Sequence, residues 1–197
     1  PIIDQFAQAA PGFRDLLVLG KLWQLANERT SAGRPAWDAI IVDSPATGHG
    51  LGLLGMAGTV AKMFPVGSIG AEANRVDEFV RDPARVGVVL VALPEELPVT
   101  ETLELREQLA ERNVDLAATV LNGLLVDRFT DEEAARAADL AEAGEQTAAI
   151  RHALDVVRVE HLRTMDQAAE RARLDAGLES PACVLPYMFL PQLEREH

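Results

Sequence analysis

Asp43, Ser44, Pro45, Ala46, Thr47, Gly48 and His49 form the stretch of this chain best suited to chemistry. A carboxylate is followed at once by a proline, a hydroxyl and a glycine. A carboxylate can hold a hydrated Mg²⁺ ion, and a turn rich in backbone N–H donors can sense a phosphate beside it. That combination is what a nucleoside triphosphatase needs near the γ-phosphate. The stretch follows Trp37-Asp38-Ala39-Ile40-Ile41-Val42, an apolar run that reads as a buried parallel strand. An acid at the end of such a strand stands at the carboxyl edge of an open α/β sheet, where ligands bind. The bland alternative is an Asp that merely caps the next helix. The whole string, rather than its acid alone, favours the phosphate reading.

Other candidates are weaker. Asn122, at the end of another apolar run and before Gly123, has one donor and one acceptor face, which suits adenine; a turn Asn before Gly is the plain alternative. Pro186 and Tyr187-Met188-Phe189-Leu190-Pro191 could pack on the other side of a base, or simply leave a strand. Glu95 and Glu96 follow a strand end, and Glu96 reads as a helix-capping acid. Gly50-Leu51-Gly52-Leu53-Leu54-Gly55 matches GxGxxG, yet Gly50 lies seven positions after Asp43, whereas a dinucleotide turn follows its strand directly. Those glycines read as helix-packing or flexible positions. His49, His152, His161 and His197 have no metal-ligand spacing, and Ser44 lacks a GxSxG context.

The elements that must position these residues alternate. Residues 13–30, 50–64, 71–82 and 97–113 read as helices, as does 131–175 with a break at Gly144 and charged faces in solvent. Residues 37–43, 85–93, 115–121 and 181–186 read as strands. This alternation predicts an α/β fold, a mostly parallel sheet with helices on both faces, as a single domain over 1–197. The 50–82 region reads as a helical insert whose Leu53, Leu54, Met56, Val60, Met63 and Phe64 line either an apolar groove or ordinary core.

Composition excludes several classes. A net charge of −13 argues against a nucleic-acid partner. Cys183 is the single cysteine, so no intrachain disulfide or CxxC zinc site is available, and a reducing, cytoplasmic compartment fits best. Gly50–Ala71 is apolar, but its glycines and Pro65 make it a poor membrane span. The start at Pro1 suggests a piece of something longer.

Together, residues 37–49, the string Val88-Val89-Leu90-Val91-Ala92-Leu93-Pro94-Glu95-Glu96-Leu97-Pro98-Val99-Thr100-Glu101-Thr102, and Val120-Leu121-Asn122-Gly123 resemble the arsenical pump-driving ATPase family, which includes the ATPases that target tail-anchored membrane proteins. The resemblance runs from about residue 13 to about residue 191. It implies a deviant-Walker P-loop fold, ATP with Mg²⁺ and a nucleotide-driven homodimer or paralogous heterodimer. It also implies an apolar client or membrane-protein partner. By position, Asp43 would hold the Mg²⁺ hydration shell, Pro45, Thr47 and Gly48 would form the γ-phosphate switch, and Asn122 would read adenine with Pro186 nearby. No GxxxxGK[ST] occurs in these residues. The phosphate loop and switch I acid would precede Pro1, so the chain is expected not to hydrolyse ATP alone. The family's metalloid-binding cysteines and zinc CxxC pair have no counterpart. Two other readings stand beside this one: a non-catalytic dimerisation or scaffold module, and an NAD-type oxidoreductase resting on Gly50–Gly55.

Overall fold

The structure is a computed structural model and describes residues 13–44, 47–143 and 146–189. Its elements run in the order α1 (Phe13–Asn27), α2 (Thr47–Met63), α3 (Ser68–Val80), β1 (Val88–Ala92), α4 (Glu96–Glu111), β2 (Leu116–Leu124), α5 (Asp131–Glu142), α6 (Ala148–Ala176) and β3 (Cys183–Pro186). The chain divides into two compact units. One comprises the residues up to Val88 with Leu105–Ala117; the other comprises Val89–Glu104 with the residues from Ala118 onward.

The first unit packs α1, α2 and α3 together. α2 buries Leu51, Ala57 and Ala61, and α3 buries Gly70, Ala73, Val76 and Val80. Small residues let the two helices approach closely. A Cβ on Gly70 would fall onto the Phe64 carbonyl oxygen, so this position requires glycine. Gly50–Gly55 lie inside α2 rather than in a turn after a strand. Gly52 and Gly55 have no neighbour within 4 Å of an added Cβ. This geometry removes the dinucleotide fingerprint, whose first glycine must shape a tight turn.

The second unit is built on the sheet, ordered β1-β2-β3. β2 and β3 are parallel, with Val120 opposite Cys183, Leu121 opposite Val184 and Asn122 opposite Leu185. β2 and β3 are linked by α5 and α6, as a parallel crossover requires. Alternation along the strands sends Ala92 and Leu121 into a core shared with Val99 of α4, Leu174 of α6 and Ala182. Leu103, Leu124 and Leu178 pack around it. The expected α/β class with a parallel sheet and flanking helices is the class observed.

One expected strand does not form. Residues 37–44 have no strand partner among the described residues, and Ile41 is 96% exposed. Trp37, Ile40 and Val42 are also exposed. An apolar run carries strand propensity, but a strand exists only where another backbone accepts its hydrogen bonds. The expected break at Gly144 lies outside the described residues; the flanking helices end at Glu142 and begin at Ala148.

Thr130 caps α5 in a reciprocal box: its hydroxyl accepts from the Glu133 N–H at 3.3 Å, and the Glu133 carboxylate accepts from the Thr130 N–H at 2.9 Å. The Thr130 backbone N–H, and then its hydroxyl, hold the Glu133 carboxyl below its ordinary value of 4.5. A lowered carboxyl stabilises the fold above the unfolded value and ceases to do so as pH falls through the lowered one. The first turn of α5 is therefore expected to fray on acidification below about pH 4.5, visible as faster amide exchange at Asp131–Glu133. The same turn in Glu133→Gln should exchange faster at neutral pH and lose that acid dependence.

Candidate functional site

In the first unit, Asp43 is positioned by what precedes it. After α1 the chain turns back on itself: Thr30 N–H donates to Arg34 O at 2.8 Å, and Gly33 supplies the left-handed conformation, φ 76°. Arg29 and Pro35 form an isolated antiparallel bridge, and Ala36 N–H donates to Glu28 O at 3.0 Å. The indole N–H of Trp37 donates to Glu28 Oε2 at 3.1 Å, fixing the start of the segment that carries Asp43. Asp43 is exposed and enters no ion pair among the described residues. Its carboxylate thus has no structural partner competing for a cation. Thr47 and Gly48 open α2, the end of a helix at which orphan N–H groups and the helix dipole favour anions. Pro45 lies outside the described residues. Among the described residues no group of three His, Cys, Asp or Glu side chains could hold a metal. A lone carboxylate does suit a hydrated Mg²⁺ that takes its other ligands from phosphate and water.

The second unit brings Asn122 and Pro186 to one edge of the sheet. They sit at the carboxyl ends of adjacent parallel strands, where Asn122 faces Leu185 and Leu124 faces Pro186. The register shifts between Asn122 and Leu124, at Gly123, whose φ of 79° is left-handed. A larger residue would be strained there. The bulge turns the strand end out of the ladder beside Asn122. The Asn122 side chain is exposed and has no hydrogen bond among the described residues. A Cβ on Gly123 would stand 3.8 Å from Tyr187 Cδ2 and 4.0 Å from Leu93 Cδ2. The exits of all three strands therefore converge on this glycine. Tyr187 N–H donates to Leu124 O at 2.8 Å, extending the pairing past Pro186, which has no N–H to give. The Tyr187 and Phe189 rings meet edge to face at 4.7 Å between centroids. Glu95 and Glu96 are exposed after β1, and Glu96 lies in the first turn of α4 as a capping acid should.

Several residues that hold this edge were not legible beforehand. Arg128 lies over the Phe189 ring at 4.9 Å and reaches Glu160 of α6 at 3.7 Å. Gln167 of α6, buried, accepts from Leu125 N–H at 2.8 Å. His161, also buried, has Nδ1 3.0 Å from Phe129 O and Nε2 3.1 Å from Asp131. α6 thus ties down the segment that leaves Asn122. The signal was present in the sequence as polar residues at helical spacing, His161, Thr164 and Gln167, hidden among charges that read as a solvated face. Gln167→Leu leaves the Leu125 N–H without its partner in a part-buried site. It is expected to cost about 1–3 kcal/mol, measured by urea denaturation, and to speed amide exchange at Leu125.

The fold and this edge define an α/β protein compatible with the P-loop nucleoside triphosphatase class. Residues 66–151 match the family model of the anion-transporting ATPases, a span that includes Asn122 and excludes Asp43 and Pro186. The chain is 29% identical over 189 residues to "ATPase BagA" of Mycobacterium tuberculosis and, to the same extent, to "Putative ATPase Mb3704" of Mycobacterium bovis. Each alignment covers 90% of this chain and 55% of the relative, so the chain spans a little over half the length of the curated relatives it matches. These matches agree with the resemblance to the arsenical pump-driving ATPase family.

Proposed function

We propose that this chain is the base-reading and metal-anchoring portion of an ATPase that couples Mg-ATP hydrolysis to a rearrangement of a dimer. The observation that carries the proposal is the exposed, unpartnered Asn122 amide beside a left-handed Gly123, where three strand exits meet. An amide at that edge can give and accept one hydrogen bond each with the 6-amino group and a ring nitrogen of adenine. Pro186 and the Tyr187 ring bound the same edge and offer it an apolar wall.

Asp43 would hold Mg²⁺ through water. Bound there, the ion would neutralise charge on the phosphates. The chain's own part would be to keep that carboxylate free and to offer the N-terminus of α2 to the γ-phosphate. Pro45, Thr47 and Gly48 would shift with the phosphate state, and α2 would carry the shift onward. Such a switch works only if ATP and ADP favour different positions of the turn.

The proposed setting is cytoplasmic, with a homodimer or paralogous heterodimer and an apolar client. Support for the client comes from a cleft of about 620 Å³ between α1 and α3, lined by Leu16, Trp23, Ile69 and Val76. Met63, Phe64 and Val66 are exposed on the chain that leads into it. No helix among the described residues is long and apolar enough to cross a membrane. The second reading is a non-catalytic dimerisation or scaffold module paired with an active ATPase.

Titrating the chain with ATP while following the Asn122 side-chain amide by ¹⁵N NMR tests the proposal. A saturable shift with ATP, absent with inorganic tripolyphosphate, is expected. No shift with ATP would leave the scaffold reading.

A further inference from the structure

α6 is the longest helix, 29 residues, and its middle turns distribute polarity in an unusual way. The side facing the rest of its unit carries buried His161, Thr164 and Gln167. The side facing solvent carries Val159, Leu162 and Met165, at 48%, 51% and 52% exposure. Val159 and Met165 stand three residues before and after Leu162, and Arg158 and Asp166 stand four before and after it. Positions three and four apart share a helix face. Leu162 is thus the centre of a patch with an apolar residue and a charge on each side, the two charges opposite in sign. Arg158 and Asp166 are exposed and form no ion pair or hydrogen bond among the described residues.

We infer that this face joins a second copy of the chain, α6 against α6, antiparallel about a two-fold axis at Leu162. A two-fold axis makes residues equally distant from it face each other. Leu162 then meets itself, Val159 meets Met165, and Arg158 meets Asp166 on both sides of the axis. Asp155 meets the small, uncharged Ala169. Close to the axis the charge pattern favours this arrangement over the register shifted toward Val159; farther out the axis sets Arg151 against Arg173, whose guanidinium is held by Thr100 and the Glu96 carbonyl. An axis between Val159 and Leu162 would set Arg158 against Arg163 and Asp155 against Asp166, like against like. A parallel pair would oppose every charge to itself. Complementary charges at helix flanks specify register and partner in this way.

One helix face falls short of the area of a stable interface, so the dimer is a weak, concentration-dependent one. The net charge of −13 opposes the approach of two copies at long range, whereas the paired charges act at contact. Association is therefore expected at physiological salt, where the Debye length is about 8 Å. It asks for no nucleotide, so it stands or falls apart from the ATPase reading.

Sedimentation equilibrium of this chain without nucleotide, over roughly 1 μM to 1 mM, is the test. The mass is expected to rise from 21.3 kDa toward twice that value. Leu162→Glu should weaken association by about 30-fold or more, as should Arg158→Asp. Joining Arg158→Asp to Asp166→Arg should restore it, which only an interface pairing these two residues allows. All of these positions are exposed, and an unchanged circular dichroism spectrum controls for folding. A monomer at every concentration overturns the inference, as does a dimer untouched by Leu162→Glu. Failure of the double exchange to restore the dimer overturns the register.

Discussion

Asp43→Asn is expected to abolish Mg²⁺-dependent ATP turnover in a protein that joins this chain to a phosphate loop, by at least about 100-fold. The substitution keeps shape and removes charge. Asp43 is exposed and outside any ion pair among the described residues, so the fold has no stake in that charge. Exposed substitutions of this kind change stability by about 0.5 kcal/mol or less. A loss of turnover at unchanged thermal stability would therefore report on metal anchoring. Nucleotide affinity measured in EDTA should stay within about twofold, because only the metal-dependent part is removed. Steady-state phosphate release against Mg²⁺ concentration is the measurement. Turnover that survives would remove Asp43 from the metal site.

Asn122→Leu is expected to lower ATP affinity by about 10- to 100-fold, the loss of one or two hydrogen bonds to the base. Affinity for tripolyphosphate should not change, since the substitution touches nothing that meets phosphate. Asn122→Asp makes a sharper prediction. A carboxylate accepts and cannot donate, so it fits the two donors on the guanine edge better than the donor–acceptor pair of adenine. The preference for ATP over GTP should therefore invert. Competition calorimetry with both nucleotides reads this directly. An affinity loss equal for ATP, GTP and tripolyphosphate would mean that Asn122 supports the strand end and does not read the base.

The parts of the fold legible in the sequence were those set by local pattern. Pro83 after α3, Pro98 in the first turn of α4, and the gap around Gly144 marked boundaries within a few residues of those observed. Alternation placed Asn122 and Pro186 each at a strand end, the resemblance placed them near each other, and the register joins Asn122 to Leu185 and Leu124 to Pro186. The segment 37–44 shows where local pattern stops. Ile40, Ile41 and Val42 have strand propensity, yet pairing depends on a second backbone that the sequence of the segment does not specify.

α6 was read only in part, for the complementary reason. Its charges are solvated, as expected, but they conceal an inward polar face of His161, Thr164 and Gln167. Only the fold reveals that Gln167 and His161 meet the backbone of Leu125 and Phe129. Long-range hydrogen bonds of this kind have no periodic signature. The same blindness kept Arg128 out of sight, because its partners, Phe189 and Glu160, come from distant parts of the chain.

The most direct test of the nucleotide reading is photolabelling with 8-azido-ATP followed by peptide mapping. The account predicts label on Leu121–Leu124 or Pro186–Phe189, displaced by excess ATP. Label confined to α2 around Gly50–Gly55, or label that excess ATP does not displace, would contradict it.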